Sequence, residues 1–155
     1  MVWIVLGAAV LLFAAAALVR WIQTSREAAF PLARERFRYQ REHLEARFFH
    51  LAAASGKPRG LIWKDCQWDD HVEFARDRTS GQILAFVGIS LQFEAVPGSD
   101  MEGLPAVGNL RNASAVFAYH RGQWHTQGRA VFNLNPDEAI QHFQHQYERL
   151  QHGCR

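Results

Sequence analysis

The densest group of chemistry-bearing side chains lies in one short stretch, where Asp65, Cys66, Asp69, Asp70, His71 and Glu73 fall within nine residues. Carboxylates beside an imidazole are the donor set of a divalent-cation site, and equally of general acid–base catalysis. The same residues have a plainer use. Asp69-Asp70 sits where a turn is needed, and Asp favours turns through local hydrogen bonds. Strand alternation then places His71 and Glu73 opposite Val72 and Phe74, on a solvated face. The second group, His142, His145, His152 and Cys154, has the residue types for zinc but not the close CxxC or HxxxH pairing of structural sites, and it reads as the polar face of a surface helix. His125 reads as a solvated strand residue, and Trp63, Trp68 and Trp124 as core filling.

Known catalytic and nucleotide motifs are missing. The glycine-containing loop 97–110 has neither GxxxxGK[ST] nor GxGxxG, and the chain has no GxSxG or HExxH. No catalytic residue, cofactor-binding residue or metal ligand is therefore assigned from the sequence, no cofactor is implied, and the balance leans away from an enzyme.

The elements that must position these residues begin with VWIVLGAAVLLFAAAALV, residues Val2 to Val19, which contains no charged side chain. At about 1.5 Å per residue, such a run approaches the ~30 Å hydrocarbon core of a bilayer and predicts a transmembrane helix. Met1 alone precedes it, which does not fit the basic start of a signal peptide. Arginines at 20, 26, 34, 36 and 38 follow, so the positive-inside rule predicts the N-terminus outside and the C-terminal bulk in the cytoplasm. In that reducing compartment Cys66 and Cys154 remain free thiols.

The 17 basic and 15 acidic residues are unevenly placed. Residues 20–59 carry nine Lys/Arg against four Glu, whereas residues 60–155 carry eight against eleven. The basic segment predicts contact with anionic lipid headgroups, and its interleaved Glu argues against nucleic acid. From Leu32 to about Ala54, Ala33, Phe37, Leu44, Phe48 and Leu51 recur at helical spacing. Thr24 with Glu27 has capping-box spacing, and Pro31 suits a fresh helix start. The apolar stripe is expected to pack on the following domain, with a homo-oligomeric coiled coil or a membrane-surface helix as the alternatives.

After the breaker Ser55–Gly60 the pattern turns strand-like. Leu61–Trp68 and His71–Arg78 read as two strands joined at Asp69-Asp70, followed by Gln82–Val96, Arg111–His120 and Gln123–Asn133. On the third of these, Ile83, Ala85, Val87, Ile89, Leu91, Phe93 and Ala95 share one apolar face. Asn135, Pro136 and Glu138 open a C-terminal helix whose Ile140, Phe143, Tyr147 and Leu150 fall on one face, with Gly153 beyond its end.

The expected architecture is α+β: an N-terminal transmembrane helix and an amphipathic helix, then a roughly five-stranded antiparallel meander covered by a C-terminal helix. The segments are 1–23 (transmembrane anchor), 24–59 (basic amphipathic helix and linker) and 60–155 (α+β domain). The layout of an apolar helix, a long helix and an antiparallel sheet resembles type IV pilins and pseudopilins. That family's basic leader ending in Gly and its early Glu have no counterpart here, and its pattern has no C-terminal helix. The expected function is a single-pass, non-enzymatic interaction or scaffolding module at the cytoplasmic membrane face, bound to the bilayer through Val2 to Val19 and to a protein partner. A membrane-tethered α+β pocket domain that binds a small ligand or acts as an enzyme is the alternative, and a pilin-like assembly subunit a further one.

Overall fold

The computed structural model describes the backbone of residues 2–55 and 58–150 and, within the first helix, the side chains of residues 13–18, 20 and 29 onward. The chain runs as helix α1 (Val2–Ala54), strands β1 (Leu61–Asp77), β2 (Ile83–Ala95), β3 (Arg111–His120) and β4 (Gln123–Phe132), helix α2 (Pro136–His142) and strand β5 (Tyr147–Arg149). The strands form one antiparallel sheet in the order β4-β3-β2-β1-β5.

The first correction concerns the membrane. Among the described residues, no helix is long and apolar enough to cross a bilayer. The described side chains of the apolar run, Phe13 through Leu18, cover only about 9 Å of helix against a core of ~30 Å, and the rest of the run's side chains lie outside the described residues. This finding overturns the transmembrane span over Val2–Val19. The bilayer and headgroup partners, the single-pass topology with a cytoplasmic domain, and the scaffolding role at a membrane face fall with it.

Helix α1 passes through Pro31 without a break, so residue 31 is not a restart. Proline in a helix interior removes one hydrogen bond and crowds the preceding turn, at about 3 kcal/mol. Packing of the next turns offsets that cost, because Ala33, Phe37, Leu44, Phe48 and Ala52 are all buried against the sheet. Trp124 on β4 ties the same turn down, its indole Nε1–H donating to the Ala33 carbonyl at 2.7 Å. The apolar stripe of α1 thus packs on the sheet as its spacing predicts. Its rings interlock edge to face, Phe37 with Phe74, Phe117 and Trp124, and Phe48 with Trp63 and Trp68.

It is therefore α1, not the C-terminal helix, that covers the face made by Ile83, Ala85, Val87, Ile89, Leu91 and Phe93. The opposite face is not uniformly solvated either. Ala75, Leu84, Phe86 and Val116 form a second, smaller core there with Ala139 and Ile140 of α2 and Tyr147 of β5. The sheet is covered on both sides at one end, and polar on its second face from Gly88 onward.

Two further expectations change. The segments on either side of Asp69-Asp70 are one strand with a register shift between Trp68 and Val72, so the aspartates make a bulge instead of a turn. The bulge is held locally: the Asp69 carboxylate accepts the His71 N–H at 3.2 Å, and the Arg41 guanidinium donates to the Asp69 carbonyl. Opposite it, a Cβ on Gly88 would lie 3.1 Å from the Asp69 Cβ, which accounts for a glycine in mid-strand. The C-terminal helix ends at His142 instead of continuing to Leu150. Its next residues turn back so that Tyr147, Glu148 and Arg149 pair with Asp77, Arg76 and Ala75. Backbone groups on the edge of β1 are satisfied this way, and Tyr147 is buried with its ring 5.4 Å from that of Phe86.

Candidate metal centre

Four side chains from three elements meet at the junction of β1, α2 and β5. His71 and Glu73 are two residues apart on β1 and so share a face of the strand. Asp137 comes from the first turn of α2, whose start is fixed by a complete capping box: the Asn135 side chain accepts from the Glu138 N–H at 2.9 Å, and the Glu138 carboxylate accepts from the Asn135 N–H at 3.0 Å. Arg149 is delivered by the pairing of β5 with β1, where it stands opposite Ala75.

The two carboxylates are split between two neighbours. His71 Nε2 lies 2.8 Å from Asp137 Oδ2 and 3.6 Å from Glu73 Oε1. Arg149 donates to the other oxygens, Glu73 Oε2 at 3.1 Å and Asp137 Oδ1. One ligand atom from each of His71, Glu73 and Asp137 therefore lies within 4.8 Å of the other two, and the guanidinium donates to an oxygen of each carboxylate. That is the arrangement of a ligand set with an orienting outer shell. The hydrogen bond from Arg149, helped by His71 and opposed by partial burial, holds the Asp137 carboxyl below its ordinary range, so it is anionic at neutral pH. Two carboxylates and an imidazole face a single guanidinium here, a donor set suited to a cation.

The site opens onto a groove of about 500 Å³ on the polar half of the second sheet face. Gln67, Asp69, Ser90, Asn112 and Asn135 line it beside His71 and Asp137, and no Lys or Arg does.

Of the sequence cluster, only His71 and Glu73 reach this centre. Asp65 accepts its neighbour's Cys66 N–H at 2.9 Å, and Asp70 lies 3.8 Å from Arg41. Cys66 is a free thiol, pushed up to about 12 by burial and by the carboxylates of Asp65 and Glu45, so it stays protonated and unreactive. His125, His142 and His145 are exposed, and none belongs to a group of three metal-competent ligands among the described residues. His152 and Cys154 lie outside the described residues. Trp63 and Trp124 are core, and Trp68 packs on Phe48 and Phe117.

Asp137 and Arg149 are the members that local sequence reasoning misses. An acidic residue in a helix's first turn is explained by the helix dipole alone. Nothing in its spacing shows that α2 returns to β1. The chain matches no family model, no curated protein and no solved structure.

Proposed function

We propose that this chain is a ligand-binding α+β domain that takes up a divalent cation on His71, Glu73 and Asp137, and that the cation faces the adjoining polar groove. One observation carries the reading: residues up to 66 positions apart in the chain place one ligand atom each of His71, Glu73 and Asp137 within 4.8 Å of one another, with both carboxylates held by Arg149. An imidazole with two carboxylates suits Zn²⁺ and its first-row neighbours better than Ca²⁺ or Mg²⁺, which prefer oxygen alone. Three protein ligands leave coordination positions open toward the groove, as in sites where a metal holds a further ligand. The ion takes up the position that the Nε2–Oδ2 hydrogen bond now spans, so uptake replaces that contact.

Calorimetric titration of the full chain with Zn²⁺ tests this. One ion per chain is expected, with affinity reduced about tenfold or more in His71→Ala and in Asp137→Asn. Equal affinity in the parent and both variants would remove the proposal.

A further inference from the structure

A second cavity, of about 530 Å³, lies on the other side of the Asp69-Asp70 bulge, between α1 and β1. Its floor is apolar, formed by Val72 and the edges of Phe37 and Phe74. Its wall is a row of three arginines, Arg34, Arg38 and Arg41, at four- and three-residue steps on one face of α1. Like charges at such spacing repel one another along a helix. Arg41 is compensated, by Glu45 at 2.6 Å and by Asp70 at 3.8 Å. Arg34 and Arg38 are exposed and make no ion pair among the described residues, Arg38 resting only over the ring of Tyr39. Glu35 and Asp70 are the carboxylates on the rim. Two guanidinium groups without a carboxylate partner among the described residues therefore stand over Val72 and the small exposed edges of two buried rings, in a cavity of small-molecule size.

We infer that this cavity binds a small organic anion, a phosphate monoester or carboxylate whose charged end is held by Arg34 and Arg38 and whose apolar body lies on Val72, Phe37 and Phe74. Guanidinium groups match the planar oxygen pairs of such anions and bind them with two parallel hydrogen bonds. The apolar floor adds selectivity for anions that carry a ring or short chain over bare inorganic ones. The site is independent of the cation centre, sharing none of its residues.

Titration of the full chain with phenyl phosphate and, separately, inorganic phosphate tests both halves of the inference. Phenyl phosphate is expected to bind one per chain and at least about tenfold more tightly than inorganic phosphate. The doubly substituted Arg34→Gln, Arg38→Gln chain is expected to lose about tenfold or more in phenyl phosphate affinity. Glutamine is a good helix former and both positions are exposed, so folding is retained, which circular dichroism verifies. No saturable binding of phenyl phosphate at millimolar concentration, equal affinity for the two anions, or unchanged affinity in the double variant would each overturn it.

Discussion

Asp137 has two oxygens with two different neighbours, and that division makes the carboxylate both a ligand and an anchored group. Oδ2 faces the imidazole of His71 and Oδ1 faces the guanidinium of Arg149. Because the folded carboxyl sits below its ordinary range, the unfolded chain takes up the proton first as pH falls. The stabilisation is therefore complete above the ordinary carboxylate value and is lost as pH drops through the folded one. The urea midpoint of the parent should exceed that of Asp137→Asn near neutral pH, and the gap should close as pH falls below the ordinary carboxylate value of about 4. A gap that stays constant over that fall would mean the carboxylate gains nothing from its neighbours. His71 and Glu73 were legible in the sequence as a strand pair on one face. Their partner was not, because only the return of the chain to the β1 edge brings Asp137 and Arg149 to them.

The elements explain why some boundaries read clearly and others did not. The start of α2 is written in adjacent residues, Asn135, Pro136 and Glu138, and the structure has the capping box they predict. Asn135→Ala should cost about 1 kcal/mol, read as a fall in unfolding free energy in urea. Because the same cap aims Asp137, Zn²⁺ affinity should fall with it, and a variant of unchanged stability would contradict the assignment of the cap. The end of α2 read wrongly because helical periodicity at Phe143, Tyr147 and Leu150 is also consistent with a turn followed by a short edge strand. What decided between them was an unpaired stretch of β1, a non-local fact. The two-residue loop Arg121-Gly122 was legible by length, and both residues have positive φ (49° and 83°), as the tight β3–β4 hairpin requires. Helix α1 lies directly against the sheet at Gly128, whose φ is +70° and whose added Cβ would lie 2.5 Å from the Ala52 backbone nitrogen. Gly128→Ala should cost about 3 kcal/mol or more in urea unfolding. Gly103→Ala, with φ +78° and nothing within 4 Å, should cost only the backbone strain of about 1–2 kcal/mol. Equal costs would mean that α1 does not press on β4 there.

At the scale of the whole molecule, the sheet curls around the C-terminal half of α1 on one side and carries α2 on the other, with β5 as its edge strand. The α+β class and the antiparallel meander were legible from alternation and turn residues. Which helix lies on which face was not, since both helices have an apolar stripe and β2 is buried on both faces over its first half. An apolar run read by composition as a membrane span belongs instead to a helix that continues through its arginines into the core. The two-sided covering leaves one polar patch of sheet uncovered, and the cation centre stands at its edge. The most direct test of that centre is a long-range ¹H–¹⁵N spectrum of the histidine rings as Zn²⁺ is added to the full chain. One equivalent is expected to shift Nε2 of His71 selectively, leaving His125, His142 and His145 unchanged. A His71 ring that stays unshifted at one equivalent, or shifts only together with those exposed histidines, would contradict the cation centre.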